Sequence, residues 1–328
     1  MDRHETAVSV VIPTYNRSAL VSRCVDSIRK SGISPLEIIV VDDGGSDDTE
    51  SVIAGRATYL RQPNAGPAAA RNNGFDNSTG RYVAFIDSDD EWIDHVAGRL
   101  LGQLEANEDV DVAFADSRMG NADDGFVSFV ETYGGQAFAD LPGKVSGGGL
   151  VVFERAPFFR QLSTRNVMFL GSMLIRRDFF AKIGGFDPRL RGAADWDFFM
   201  RATAAGTVAF SPGPAMSFYY KHSEGMSTDQ DHMEEDFIRA LDSVRRRSPL
   251  DEQTRAHVES RLRDHIFGWA WLAYEKGDLE TTRKRLQLAV EMRQFGAREA
   301  AYLATSYFPP SLVEALRKAK RVLTQGRG

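Results

Sequence analysis

Apolar runs and helical stripes alternate along the first third of the chain. Val8-Ser9-Val10-Val11-Ile12 is a β-branched run closed by Pro13-Thr14-Tyr15-Asn16, which predicts a buried strand followed by a turn. Ser18 to Lys30 carries Leu20, Val21, Cys24, Val25 and Ile28 at helical spacing and stops at Gly32. Glu37 to Val41 is a second buried strand, Thr49 to Gly55 a short helix, and Thr58-Tyr59-Leu60 a third strand. This alternation implies parallel pairing with right-handed crossovers. Gly66-Pro67 before an alanine run opens another helix. Tyr82 to Ile86 is a further buried strand, Asp94 to Glu105 an amphipathic helix, and Val110 to Ala115 a strand.

The pattern then loosens. Ser117 to about Ser163 reads as a variable excursion, flexible near Gly147-Gly148-Gly149. No Lys-Ser/Thr follows that glycine run, so it is a loop and not a phosphate cradle. Order returns with a strand at Gly171 to Ile175, a helix from Asp178 to Ile183, and a helix that opens after Gly192 with Asp195 near its start. Val208 to Phe210 and Ala215 to Tyr220 read as strands, and Lys221 to Ser227 as a polar loop. From about Glu234 onward the spacing is helical only, with a helix–turn–helix pair at His265 to Tyr274 and Leu279 to Met292. The expected fold class is α/β: a mixed, mostly parallel sheet flanked by helices, plus a C-terminal all-helical appendage.

Composition narrows the classes. The chain has 328 residues, and a net charge of −6 argues against a nucleic-acid partner. Its one cysteine, Cys24, excludes an intrachain disulfide framework and a cysteine-based metal site. The first residues lack the order of a signal peptide, and no apolar run approaches the ~20 residues of a membrane span. A cytoplasmic protein is expected. Its last helix, Pro310 to Leu323, carries Arg317, Lys318, Lys320 and Arg321 against Glu314. That helix is a candidate peripheral contact with an anionic membrane, the other reading being a solvated face.

The chemistry gathers at strand ends. Tyr82 to Ile86 runs directly into Asp87-Ser88-Asp89-Asp90-Glu91. Four acids in five positions repel one another unless a counter-charge is present. A divalent cation would supply it, since Mg²⁺ or Mn²⁺ takes one or two carboxylates together with substrate phosphates. Parallel pairing puts the ends of the first, second and fourth strands on one edge, where open α/β sheets bind ligands. Tyr15, Asp43 and Asp87 then converge. The helix start at Gly66, with Arg71 about a turn inside it, adds an anion-attracting end.

Five segments, 8–17, 38–49, 64–74, 82–92 and 184–201, together resemble the family 2 glycosyltransferases. The resemblance covers roughly residues 7–228 and implies a GT-A fold over 1–228. Its nucleotide-sugar half would be about 1–116 and its acceptor half about 117–228, with 229–328 a helical C-terminal region. It implies that Pro13, Thr14 and Tyr15 line the nucleotide pocket and that Asp43 accepts from a ring N–H of the base. Gly66 and Arg71 would face the base or diphosphate. Asp87-Ser88-Asp89 matches the DXD motif, Asp87 towards the ribose and Asp89 on Mn²⁺ or Mg²⁺. His222 stands where some members supply a further metal or diphosphate contact; its other reading is a surface loop histidine. Asp195 matches the catalytic base, with Asp197 as its cap or orienter.

The resemblance implies metal-dependent, inverting transfer of a hexosyl or hexosaminyl group. The donor would be a nucleotide-diphosphate sugar, a UDP-sugar foremost, and the acceptor a glycan or lipid-linked hydroxyl. Polysaccharide or glycan biosynthesis is the setting it suggests. Ala194 stands where many members have Glu, a departure that bears on acceptor contacts. The Gln-x-x-Arg-Trp motif of processive synthases is absent, which favours single addition. Two rivals remain at this level: a nucleotidyltransferase, which would want a Gly-rich loop after the first strand, and a non-catalytic nucleotide-sugar-binding scaffold.

Overall fold

The computed structural model describes residues 7–121, 123–221 and 230–325. It divides into two compact units, Met1–Asp236 with Arg247–Pro249, and Phe237–Arg246 with Leu250–Gly328.

The first unit grows from β1 (Val8–Thr14), every residue of which is buried. Helix α1 (Ser18–Ile28) buries Val21, Cys24, Val25 and Ile28, as its spacing requires. Strand β2 (Leu36–Asp42), helix α2 (Thr49–Ile53), β3 (Thr58–Arg61), α3 (Pro67–Asp76) and β4 (Tyr82–Phe85) follow. β1 pairs in parallel with β2 on one side and β4 on the other, and β2 with β3. Thr14 sits opposite Asp42 and Val11 opposite Phe85, so Tyr15, Asp43 and Asp87 emerge along one edge. The turn expected at Pro13 comes later, since β1 runs on to Thr14.

Helix α3 crosses close over this sheet. A Cβ added at Gly74 would lie 2.2 Å from Val11 Cγ1 and 3.1 Å from Val41 Cγ2. Both neighbours belong to central strands and cannot yield. Gly74→Ala is therefore expected to cost about 1–3 kcal/mol of unfolding free energy through overpacking, read as a lower midpoint in urea denaturation.

The chain next forms β5 (Glu91–Trp92), α4 (Val96–Glu105) and β6 (Val112–Ala115). The stretch 117–163, expected as a variable excursion with flexibility near its glycine run, is built of regular pieces. It contains β7 (Ser117–Asn121), β8 (Gly125–Ser128), α5 (Phe129–Tyr133), α6 (Gly135–Ala139), β9 (Gly143–Val145), β10 (Val151–Phe153) and most of α7 (Arg155–Thr164). Its glycines are anchored: Gln103 Nε2 donates to Gly148 O and Asn107 Nδ2 to Gly147 O, both at 2.7 Å. Phe153 stacks on Phe158 with ring centroids 4.5 Å apart, and both face Phe114 of β6. Strands of three to five residues are too short for their period to show in the sequence.

Then come β11 (Met173–Arg176), α8 (Arg177–Ile183), α9 (Ala194–Ala205), β12 (Val208–Ser211) and β13 (Ser217–Tyr220). Among the described residues the main sheet has the order β3-β2-β1-β4-β11-β6-β12-β10-β9. β11 runs antiparallel to both β4 and β6, while β12 is parallel to β6. A second sheet has the order β5-β13-β7-β8. The mixed sheet flanked by helices is the architecture the sequence predicts.

The later helices are α10 (Gln230–Arg247), α11 (Glu252–Lys276), α12 (Leu279–Glu291), α13 (Ala297–Thr305) and α14 (Pro310–Gln325). The helix expected from His265 starts at Glu252, because Asp251 caps it by accepting from Thr254 N at 2.8 Å. Gly277 ends α11 in the left-handed region at φ 83°. Asp278 then caps α12 through Thr281 N. Among the described residues no helix is long and apolar enough to cross a membrane.

Candidate active site

The strand ends open into a cleft of about 640 Å³. It is lined by Pro13, Thr14, Tyr15, Asp43, Gly66, Arg71, Asp87, Ser88, Asp89 and Asp195. Asp197, expected to cap or orient Asp195, is instead fully buried away from the cleft with its carboxylate held by Arg201. His222 lies outside the described residues.

One end of the cleft presents an exposed aromatic ring beside two buried polar side chains. Tyr15 is 51% exposed at the mouth, so its ring is accessible from the cleft. Thr14 Oγ1 is buried with no hydrogen-bond partner among the described residues. Asp43 is buried and also serves its own loop. Its Oδ1 accepts from Gln62 Nε2 at 2.7 Å and Ala65 N at 2.9 Å, and its Oδ2 accepts from Gly66 N at 2.8 Å. A carboxylate offers about four acceptor sites, so one remains for a donor from the cleft. Asn73 Nδ2 donates in turn to Gln62 Oε1 at 2.8 Å, fixing the amide that holds Asp43. Gly66 caps α3 at φ 88°, a backbone angle suited to glycine, and leaves amides of the first turn without intrahelical partners.

The acid cluster is resolved by arginines. Asp87 pairs with Arg71, Asp89 with Arg17, and Glu91 with Arg23 at 2.7 Å. Asp90 takes the other route. Burial, together with the charges of Asp87 and Asp89, raises its carboxyl well above the ordinary aspartate range, and it accepts from Tyr220 N at 3.2 Å. The counter-charge expected from a cation alone is thus supplied in large part by the protein. The donor set still fits such an ion. Asp87 is 44% and Asp89 15% exposed in their side chains, two hard oxygen donors facing a cleft that can admit phosphates. No cluster of three or more acids, histidines or cysteines stands ready for a metal among the described residues, so substrate oxygens would complete the shell.

Asp195 lies on the first turn of α9, enclosed on most sides with an edge open to the cleft. Burial raises its carboxyl above the ordinary value; Arg71 and the Trp196 amide, which donates to Oδ1 at 2.8 Å, oppose the shift, and Asp87 adds to it. Arg71 and Asp87 therefore act on Asp195 from across the cleft. Ala194, where many members of the resembling family have Glu, is buried at the start of α9. Were Asp195 to serve as a base it would have to be deprotonated to work, and its raised pKa would then move the acid limb of turnover upward in pH. The kcat–pH profile is expected to rise through a pKa above 3.8, the ordinary aspartate value. An acid limb at the ordinary position would contradict that role.

The cleft residues not read as site residues from the sequence include Arg17, Arg191, Tyr219 and Tyr220. Arg17 follows the β1 motif directly, but its pairing with Asp89, 72 positions on, shows only in the folded chain. Tyr219 belongs to β13 of the second sheet, and that pairing is not legible in the sequence. Burial pushes the Tyr219 phenol up to about 12, so it remains a hydroxyl donor at neutral pH.

The family description "Glycosyl transferase family 2" matches residues 9–184, more than half of the chain. A Campylobacter jejuni protein, GalNAc(5)-diNAcBac-PP-undecaprenol beta-1,3-glucosyltransferase, is 38% identical over 109 residues, 31% of this chain and 35% of its own. An uncharacterized glycosyltransferase of Haemophilus influenzae is 25% identical over 256 residues, 73% of this chain and 79% of its own. The chain spans 15%, 35% and 18% of the length of the first three curated relatives. Among solved structures, S. aureus TarS 1-349 in complex with UDP-GlcNAc aligns with a TM-score of 0.63 at 17% identity, covering 96% of this chain and 92% of that one. The mannosyltransferase PcManGT of Pyrobaculum calidifontis, in complex with GDP-Man and Mn²⁺, aligns with a TM-score of 0.54 at 17% identity, covering 99% and 85%. These likenesses show the shared GT-A fold.

Proposed function

The chain belongs to glycosyl transferase family 2, and from that premise we propose that it transfers a hexosyl or hexosaminyl group from a UDP-sugar to an acceptor hydroxyl, inverting the anomeric centre. The observation that carries this reading is the single cleft that gathers Asp43, Arg71, Asp87, Asp89 and Asp195. Under it, Tyr15 stacks on the base and Asp43 accepts from a ring N–H. Arg71 and the first turn of α3 bind and orient the diphosphate. Asp195 removes the acceptor proton, on the face opposite the leaving group. Holding both substrates in line accounts for much of the acceleration. Asp87 faces the ribose, and Asp89 would hold Mn²⁺ or Mg²⁺, which when bound supplies Lewis-acid stabilisation of the departing diphosphate.

Calorimetric titration with UDP-, GDP- and dTDP-sugars, each with and without Mn²⁺, tests the donor. Binding of UDP-sugars enhanced by Mn²⁺ supports the reading; selective binding of another nucleotide would overturn the donor.

The acceptor proposed is a glycan or lipid-linked saccharide, in keeping with the undecaprenol-linked acceptor in the name of the C. jejuni relative. Exposed Tyr307, Phe308, Leu312 and Leu316, with Lys318 beside them and Lys320 and Arg321 following in sequence, support peripheral contact with an anionic bilayer. The protein is expected to sediment with phosphatidylglycerol vesicles, less so at high salt, and Leu312→Glu with Leu316→Glu should abolish it. Equal sedimentation with neutral vesicles would refute the contact.

A further inference from the structure

Behind the cleft, a set of polar and aromatic contacts links helix α9, which carries Asp195, to helix α3, which carries Arg71. Arg201, 4% exposed, donates through Nε to Asp197 Oδ2 at 2.8 Å, one turn back along α9. Its Nη1 donates to Ile183 O at 2.8 Å and its Nη2 to Gly185 O at 2.6 Å. One guanidinium thus ties the first turn of α9 to the loop that follows α8. The next loop residue, Phe186, is gripped at its backbone by Asn72. Asn72 Nδ2 donates to Phe186 O at 2.8 Å, and Phe186 N donates to Asn72 Oδ1 at 3.0 Å. The pair imitates a rung of a strand ladder. Asn72 adjoins Arg71, whose guanidinium pairs with Asp87 and lies 5.6 Å from the Phe186 ring centroid. The same ring meets Phe85 at 4.9 Å and Phe198 of α9 at 5.1 Å.

Stability alone is a poor account of this arrangement. Asp197 is fully buried, and its Oδ1 has no partner among the described residues. A buried ion pair with an unsatisfied oxygen is often no more stabilising than well-packed apolar side chains in its place. What the ion pair does provide is direction: a planar fork fixes two backbone segments at set angles. The segments it fixes carry the base on one side and, through Asn72, the diphosphate-facing arginine on the other.

We propose that Arg201 and Asn72 are positioning residues, forming with Asp197 and Phe186 a strut that sets the distance between Asp195 and the donor diphosphate. The proposal rests on Asp195 as the base. Neither residue lines the cleft, so each acts through others. Misplacing a base by about 1 Å costs on the order of 10²-fold in rate.

The test compares Asn72→Ala, Arg201→Met and Arg201→Lys with wild type, following UDP release from UDP-glucose and UDP-N-acetylglucosamine with Mn²⁺ present, and UDP affinity by calorimetry. Both truncations are expected to lower kcat roughly 10- to 100-fold. Donor KM and UDP affinity should stay within about twofold, and Arg201→Lys should recover part of kcat. Should Arg201→Met fail to fold, Asn72→Ala, at a partly exposed position, decides the matter. Variants that keep wild-type kcat while melting at lower temperature would reduce the strut to a structural element and overturn the proposal. Loss of UDP affinity in step with kcat would overturn it too, since the fault would then lie in donor binding. Wild-type protein that binds UDP yet releases none from any donor would overturn the underlying reading, and the proposal with it.

Discussion

Asp195→Asn is expected to lower kcat by about 10²- to 10⁴-fold, the usual contribution of a general base, while UDP binds as it does to wild type. The amide keeps the shape of the side chain and can still accept from Trp196 N. It cannot take a proton from an attacking hydroxyl. A second readout separates this loss from misfolding. Burial raises the Asp195 carboxyl, so the folded state holds its proton more tightly than the unfolded state does. Such a group contributes stability below the unfolded pKa, and that contribution is lost as pH rises through the folded pKa. At neutral pH the ionised carboxylate is therefore a cost to the fold. The asparagine variant should melt at or above the wild-type temperature at pH 7, while its turnover collapses. A variant that lost both stability and activity would point to a structural role for Asp195.

Asp89→Ala is expected to abolish the Mn²⁺ enhancement of UDP binding and to lower kcat by about 10²-fold or more, as loss of several kcal/mol of charge stabilisation implies. The substitution also frees Arg17, whose charge then faces the cleft unpaired by Asp89. Some metal-independent affinity for the diphosphate should persist for that reason. Calorimetry with and without Mn²⁺ reads both effects in one experiment. The proposal that Asp89 holds the ion fails if Mn²⁺ enhances UDP binding equally in variant and wild type. Chelation by EDTA should bring the wild type to the level of the variant.

The residues of this site were legible because their strands were. β1 and β4 are buried along their whole length and β2 from Ile38 on, so they read as dominantly apolar runs with clear ends. Parallel pairing then carried Tyr15, Asp43 and Asp87 to one edge without further assumption. Asp195 was reached differently, through the resemblance of 184–201, since nothing in its spacing ties it to a strand over a hundred positions earlier.

What was not legible depended on pairing between distant side chains. Four acids follow β4, and the sequence treats them alike. Only the folded chain distinguishes Asp90, buried with a raised pKa, from Asp87 and Asp89, each held by an arginine. Arg17 and Arg71 are separated from their partners by 72 and 16 positions. The second sheet stayed hidden for a related reason. β5 has two residues, and β7 and β8 five and four, too few to show a period of two against the glycines around them. That sheet nevertheless supplies Tyr219 and Tyr220 to the cleft.

The central claim is a single in-line displacement with Asp195 as the base. It is tested most directly by following hydrolysis of an α-linked UDP-sugar by proton NMR, water standing in for the acceptor. The account predicts that the first sugar released is the β-anomer, in wild type but not in Asp195→Asn. Initial release of the α-anomer would contradict it, and would require a covalent or front-face route that leaves Asp195 without its role.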